Sequence, residues 1–217
     1  MNVSNYYNSK HSVYKMNAGR RKHIIDLIPS QTKTVLDIGC GVGDFAAFLQ
    51  KKEYKVWGVD ISKDVLSQAE GSLESSFCFN VEDEQWPAEL MLKKFDVVIA
   101  SEIIEHLFHP DIFLKKLKPL LNTGGKIIIT TPNFLFWKNR LKILFGKFEY
   151  ASEGLLDFGH IRFFTVKTAL KIFKKCGLKV EKEHHFYPNL YKRRLNFLGR
   201  MFPGFLAYQM IFLLSVE

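Results

Sequence analysis

The stretch Thr34 to Phe45 constrains the fold more than any other part of this chain. Thr34-Val35-Leu36-Asp37-Ile38 is short, β-branched and apolar, which reads as a buried strand. It runs straight into Gly39, Gly41 and Gly43, and then into Phe45-Ala46-Ala47-Phe48-Leu49, whose apolar spacing suits a helix. Strand, glycine turn, helix is how a doubly wound sheet begins, and the turn is where it holds a nucleotide-like ligand. Glycines at alternate positions allow a tight turn and a close approach of backbone to ligand. The repeat is G-x-G-x-G, not the wider dinucleotide fingerprint, and Asp37 lies inside the strand end. An acid there is a poor neighbour for a pyrophosphate and a good one for a cationic ligand.

The rest of the chain continues the alternation. Lys55 to Asp60 reads as a second strand, ending in an acid about 20 residues beyond the loop, the spacing at which a carboxylate meets a ribose. A plain strand-end turn residue is the alternative reading of Asp60. Ser62 caps a helix through Ala69, closed by Gly71. A third strand, Phe77 to Val81, leads into Asn80-Val81-Glu82-Asp83, and a fourth, Phe95 to Ala100, into Ser101-Glu102-Ile103-Ile104-Glu105-His106. His109-Pro110-Asp111 opens a helix whose apolar face is Phe113, Leu114, Leu117 and Leu121. Gly124-Gly125 precedes a fifth strand, Lys126 to Thr131. Thr165 caps a helix through Cys176; Leu178 to His185 and Tyr208 to Leu214 read as two late strands. The pattern predicts an α/β fold: a Rossmann-like doubly wound, mostly parallel seven-stranded sheet with an antiparallel last strand and a small helical cap. One domain spans 1–217, with an N-terminal arm over 1–30 and a cap insertion near 132–162.

Val35-Leu36-Asp37-Ile38-Gly39-Cys40-Gly41-Val42-Gly43 resembles the first motif of class I S-adenosylmethionine-dependent methyltransferases, V-L-D-x-G-C-G-x-G. The resemblance implies S-adenosyl-L-methionine as cofactor, bordered by Gly39, Cys40, Gly41 and Gly43, with Asp37 near its amino-acid end. It assigns Asp60 and Ile61 to the ribose, Asn80 and Val81 to the adenine, and adds Ser101. Asn80 stands where the family often has aspartate, which leaves Glu82 or Asp83 as substitutes. Glu102-x-x-Glu105-His106 looks like the E-x-x-E-H run of ubiquinone-pathway O-methyltransferases, where a divalent cation can orient a catechol. Such a ligand set suits manganese or zinc better than magnesium. Similar runs occur without metal, and the sequence reading assigns none. Pro132-Asn133-Phe134, Arg140-Leu141 and His160 through Thr165 are similar to the methionine-biosynthesis methyltransferase-like proteins of MetW type.

Methyl transfer from a sulfonium is an in-line displacement, so catalysis is mostly positioning and water exclusion. An oxygen or nitrogen acceptor also calls for a base, and His106 and His160 are the candidates, each weighed against a structural histidine satisfied by local backbone. The expected acceptor is a small molecule, quinone-like, lipid-linked or sugar; a non-catalytic S-adenosylmethionine-binding partner of a biosynthetic enzyme is the alternative. Net charge +9 admits phosphates and anionic lipid, but no N-P-P-Y or D-P-P-Y motif for flipped bases accompanies it, which disfavours nucleic acid.

Phe134 to Phe148 is aromatic and basic together, either a cap helix over the acceptor or a helix lying on anionic membrane. Cys40, Cys78 and Cys176 form no C-x-x-C pair and read as buried free thiols of a reducing compartment. Met1 to Lys10 has no apolar signal core, and Phe205 to Leu214 is too short to span a bilayer. A cytoplasmic protein is expected, with peripheral membrane contact left open. The tyrosine-rich arm, with Tyr6, Tyr7 and Tyr14, reads equally as a flap over the cofactor or a frayed terminus.

Overall fold

A computed structural model describes residues 16–152, 154–187 and 202–217. The tyrosines of the arm, and the basic linker between Tyr187 and Phe202, lie outside the described residues. In chain order the elements are α1 Ala18–Ile25, β1 Thr34–Ile38, α2 Asp44–Gln50, β2 Lys55–Asp60, α3 Lys63–Gln68, β3 Ser75–Cys78, α4 Ala88–Met91, β4 Phe95–Ser101 and α5 Pro110–Leu117. They continue with β5 Leu121–Pro132, α6 Trp137–Leu144, α7 Val166–Lys175, β6 Leu178–Phe186, α8 Pro203–Leu206 and β7 Gln209–Val216.

The strands form one sheet in the order β3-β2-β1-β4-β5-β7-β6. β1 to β5 run parallel to one another, while β7 is antiparallel to both β5 and β6. Period-2 alternation divides the core between the two faces. Val35, Val97, Ile99, Ile128 and Ile211 pack with Ile24 of α1, Leu27 just beyond it, and Phe45 and Leu49 of α2. Leu36, Val98, Ile127, Ile129 and Phe212 pack with Phe113, Leu114 and Leu117 of α5 and with Phe173 of α7. A central parallel strand covered on both faces is apolar along most of its length, which is why β1 reads so clearly in sequence, with Asp37 its one acid.

Several boundaries differ from the sequence reading. β3 ends at Cys78, so Asn80 and Val81 sit in the loop beyond it, and Leu121 opens β5 instead of closing α5. All three cysteines are free, but Cys78 is exposed, not buried. The greasy stretch 205–214 is mostly β7, whose residues Gln209 to Leu214 are all buried in the sheet. Among the described residues no helix is long and apolar enough to cross a membrane.

Candidate functional site

The β1 turn is shaped by backbone that only glycine adopts readily: Gly39, Gly41 and Gly43 have φ of +76°, +55° and +79°. A Cβ on Gly43 would meet the Ala69 Cβ at 2.9 Å and its Cα at 3.1 Å, so α2 and α3 approach too closely for a side chain there. The Asp60 carboxylate ties β2 to this turn, accepting from Gly41 N–H through Oδ2 and from Ser62 N–H through Oδ1, both at 3.0 Å. Ser62 in turn caps α3 by accepting from Val65 N–H. Asp60 is therefore both the strand-end turn residue of the bland reading and a buried carboxylate whose remaining lone pairs sit at the sheet edge.

Asp37, one strand over, is also buried. Its carboxyl is pushed up to about 7, by burial first and by the Asp60 charge second. Burial likewise holds the Cys40 thiol well above its usual range, so Cys40 is a packing residue at the turn and no nucleophile. Phe79 N–H donates to the Asp60 carbonyl at 3.2 Å, which brings the loop after β3 against the end of β2. In that loop Asn80 accepts from Glu82 N–H at 3.0 Å, and the Val81 carbonyl accepts from the Trp86 indole at 3.1 Å. The Ile61 carbonyl faces the Cys78 thiol at 3.7 Å. Asp37, Cys40, Gly41, Asp60, Ile61, Asn80 and Val81 thus share the carboxyl ends of β1, β2 and β3, where a doubly wound sheet binds its ligand.

Ser101 ends β4, beside Thr130 of β5, and their hydroxyls lie 2.9 Å apart. Glu102 follows with φ of +58°, a left-handed conformation unfavourable for a side chain. Thr130 holds it there, accepting from Glu102 N–H at 3.1 Å and donating to its carboxylate at 2.9 Å. Arg20 of α1 approaches the other carboxylate oxygen at 3.7 Å. Neither Arg20 nor Thr130 was marked by sequence, though two threonines closing an apolar strand were a visible signal.

A one-turn 3₁₀ helix, Ile104–His106, then buries Glu105. The carboxyl of Glu105 is driven well above its usual range by burial and, next, by the Glu102 charge, with Thr131 and Arg20 pulling too weakly to reverse it. Neither Glu105 oxygen, nor the Thr131 hydroxyl, makes a well-formed hydrogen bond. His106 donates from Nδ1 to the Gly159 carbonyl at 2.8 Å, and His160 from Nδ1 to the Leu155 carbonyl at 3.1 Å. Carbonyl oxygens only accept, so Nδ1 carries a proton in both rings. The rings meet edge to face with centroids 4.8 Å apart. The Glu105 carbonyl clamps the incoming loop by accepting from Ile161 N–H and Arg162 N–H at 3.0 and 2.9 Å.

The structure therefore brings together the two histidines singled out by sequence and adds Glu105 to them. One ligand atom from each of Glu105, His106 and His160 lies within 4.8 Å of the others. Glu102, the other acid of the E-x-x-E-H run, is instead engaged by Thr130 and Arg20. This set fits a divalent cation on chemical grounds. A buried carboxyl without a well-formed hydrogen bond is costly, and both imidazoles are oriented by carbonyls in the manner of metal ligands. Sequence spacing hid the set because His160 arrives on a distant loop.

Fold and site together define a methyltransferase domain. Residues 15–183 match the methyltransferase domain family, and the chain belongs to it. It is 31% identical over 124 residues to the ubiquinone biosynthesis O-methyltransferase of Coxiella burnetii, covering 56% of this chain and 53% of that protein. With the enzyme of the same name from Paraburkholderia phytofirmans identity is 36% over 106 residues, 46% and 45% of the two chains. The chain thus spans about half the length of these curated relatives. Its fold is similar to that of a S-adenosylmethionine-dependent methyltransferase from Archaeoglobus fulgidus, with a TM-score of 0.65 at 19% identity over 91% of both chains.

Proposed function

We propose that this chain transfers the methyl group of S-adenosyl-L-methionine to an oxygen of a small hydroxylated acceptor, of catechol or quinol type. The observation that carries the reading is the Glu105–His106–His160 cluster at the same sheet edge as the glycine turn. The family match and the relatives' O-methyltransferase names support it. When bound, S-adenosylmethionine supplies an electrophilic methyl on a sulfonium. Asp60 fixes the turn through Gly41 and Ser62 and keeps lone pairs for ribose hydroxyls. Asp37 offers a carboxyl that ionises readily once a cationic ammonium stands beside it.

On the acceptor side, Glu105, His106 and His160 would hold a divalent cation, which supplies Lewis acidity toward an acceptor hydroxyl. Where no cation engages them, the Nε2 atoms of the two imidazoles would instead be the ones to take the acceptor proton as in-line attack proceeds. His160 comes from the segment read as a cap near 132–162 and meets His106 at this edge. A cytoplasmic setting agrees with three free cysteines.

The test is turnover of methyl-labelled S-adenosylmethionine against catechols, quinols, amines, sugars and short lipids, with manganese and with chelator. Methylation of a dihydroxylated ring that chelator suppresses supports the proposal. Cofactor binding with no turnover on any acceptor, together with co-purification of a biosynthetic enzyme, supports the non-catalytic alternative.

A further inference from the structure

Helix α6 is built the wrong way round for a core helix. Its one buried residue is polar: Asn139 is 3% exposed and donates to the Phe134 carbonyl at 2.8 Å. Trp137, Leu141 and Leu144 follow i, i+4, i+7 spacing and share one face. Beyond the half-buried Trp137, that face looks away from the protein, with Leu144 75% and Phe145 73% exposed. Leu141, Ile143, Phe148 and Tyr150 extend the exposed apolar surface.

An ordinary solvated helix exposes its charges and hides its leucines; here both are outside. Lys138, Arg140, Lys142 and Lys147 flank the apolar residues, with no acid between Phe134 and Phe148. Long basic stems can lie along an apolar surface while their heads reach outward, which is the arrangement of a helix lying in a lipid headgroup layer. Arg140 is stacked over Phe205 at 5.3 Å, so the half-exposed Phe205 of α8 joins the same surface. A net charge of +9 adds a long-range attraction of the same sign.

We infer that α6 and the residues just after it dock this protein on the surface of an anionic lipid bilayer, with Leu144 and Phe145 inserted and Lys138, Lys142 and Lys147 at the headgroups. The face needs no lipid substrate to act; it is independent of the proposed chemistry. Charge complementarity selects the occupant, because a second copy of the same basic face would be repelled at close quarters.

Sedimentation of the full chain with vesicles tests it, using phosphatidylcholine alone and phosphatidylcholine mixed with phosphatidylglycerol. The expected result is binding to the mixed vesicles only, reversed by high salt. Replacing Lys138 and Lys142 by Gln should weaken it about five-fold per charge removed. Leu144→Ser with Phe145→Ser should abolish it while leaving the melting temperature unchanged, since both side chains are exposed. Equal binding to neutral vesicles, no binding to anionic ones, or full binding by the Leu144→Ser/Phe145→Ser variant would each overturn the inference. So would a dimer in sedimentation velocity that the same two substitutions dissociate.

Discussion

The Asp37 carboxyl makes a prediction that joins stability to ligand binding. Burial and the neighbouring Asp60 charge raise it from 3.8 to about 7. Between those two values the folded protein keeps a proton that the unfolded chain has released. Stability from this group is fully present below the ordinary carboxyl range and is lost as pH rises through about 7. The size of the loss is roughly 4 kcal/mol, at 1.36 kcal/mol for each tenfold change in proton affinity. Asp37→Asn is nearly isosteric and cannot ionise, so it should remove this part of the pH dependence. Chemical denaturation of both proteins at pH 5 and pH 8 reads the difference directly. The ligand-free wild type should lose about 2–3 kcal/mol more than the variant over that interval, since part of the loss already falls below pH 5. A cationic ligand beside Asp37 should reverse the trend, releasing close to one proton on binding at pH 6 and none in Asp37→Asn. Parallel pH profiles for the two proteins, free and bound, would refute a buried, protonated Asp37.

Four further outcomes follow from the same geometry. Asp60→Ala removes the acceptor for Gly41 and Ser62, so it should weaken S-adenosylmethionine binding by about 1.5–3 kcal/mol and lower the melting temperature; calorimetry on a folded variant with unchanged affinity would take Asp60 out of the site. Gly71→Ala meets open space and should cost only the left-handed backbone strain, about 1–2 kcal/mol, whereas Gly43→Ala also drives a Cβ against Ala69 and should cost clearly more; equal melting temperatures would contradict the close α2–α3 approach. Glu105→Gln should reduce manganese affinity at least about ten-fold with S-adenosylmethionine affinity intact, measured by titration calorimetry on each ligand. Trp137→Ala, if the segment caps the acceptor, should raise acceptor KM or lower kcat with cofactor affinity and Tm nearly unchanged; loss of several degrees with normal kinetics would assign Trp137 to the core instead.

Much of the sheet was legible because its signals are local. β1 is a mostly apolar, β-branched run that leads into glycines, and the Thr165 cap announces α7, where Thr165 and Thr168 close a capping box. The glycine turn was legible as well, since three positive φ values leave a mark in residue type. What the sequence concealed depends on distance. Glu102 and Glu105 look equivalent in E-x-x-E-H, yet Glu102 is turned aside by a left-handed backbone that Thr130 supports, while Glu105 is buried beside His160. Only the fold brings residue 160 back to residue 105. The sequence left the exposed face of α6 open for a related reason. Mixed three- and four-residue spacing of apolar residues shows that a helix is amphipathic but not which side faces the protein, and Asn139 reverses the usual answer.

The central claim is that the turn at Gly39 to Gly43 and the Asp60 edge hold S-adenosylmethionine. Isothermal titration with S-adenosylhomocysteine tests it most directly, because the product binds the same edge without turning over. The wild type should bind one equivalent, and Asp60→Ala should bind at least about ten-fold more weakly. A folded wild-type protein that gives no binding heat across several temperatures, and no shift in melting temperature at saturating ligand, would contradict it.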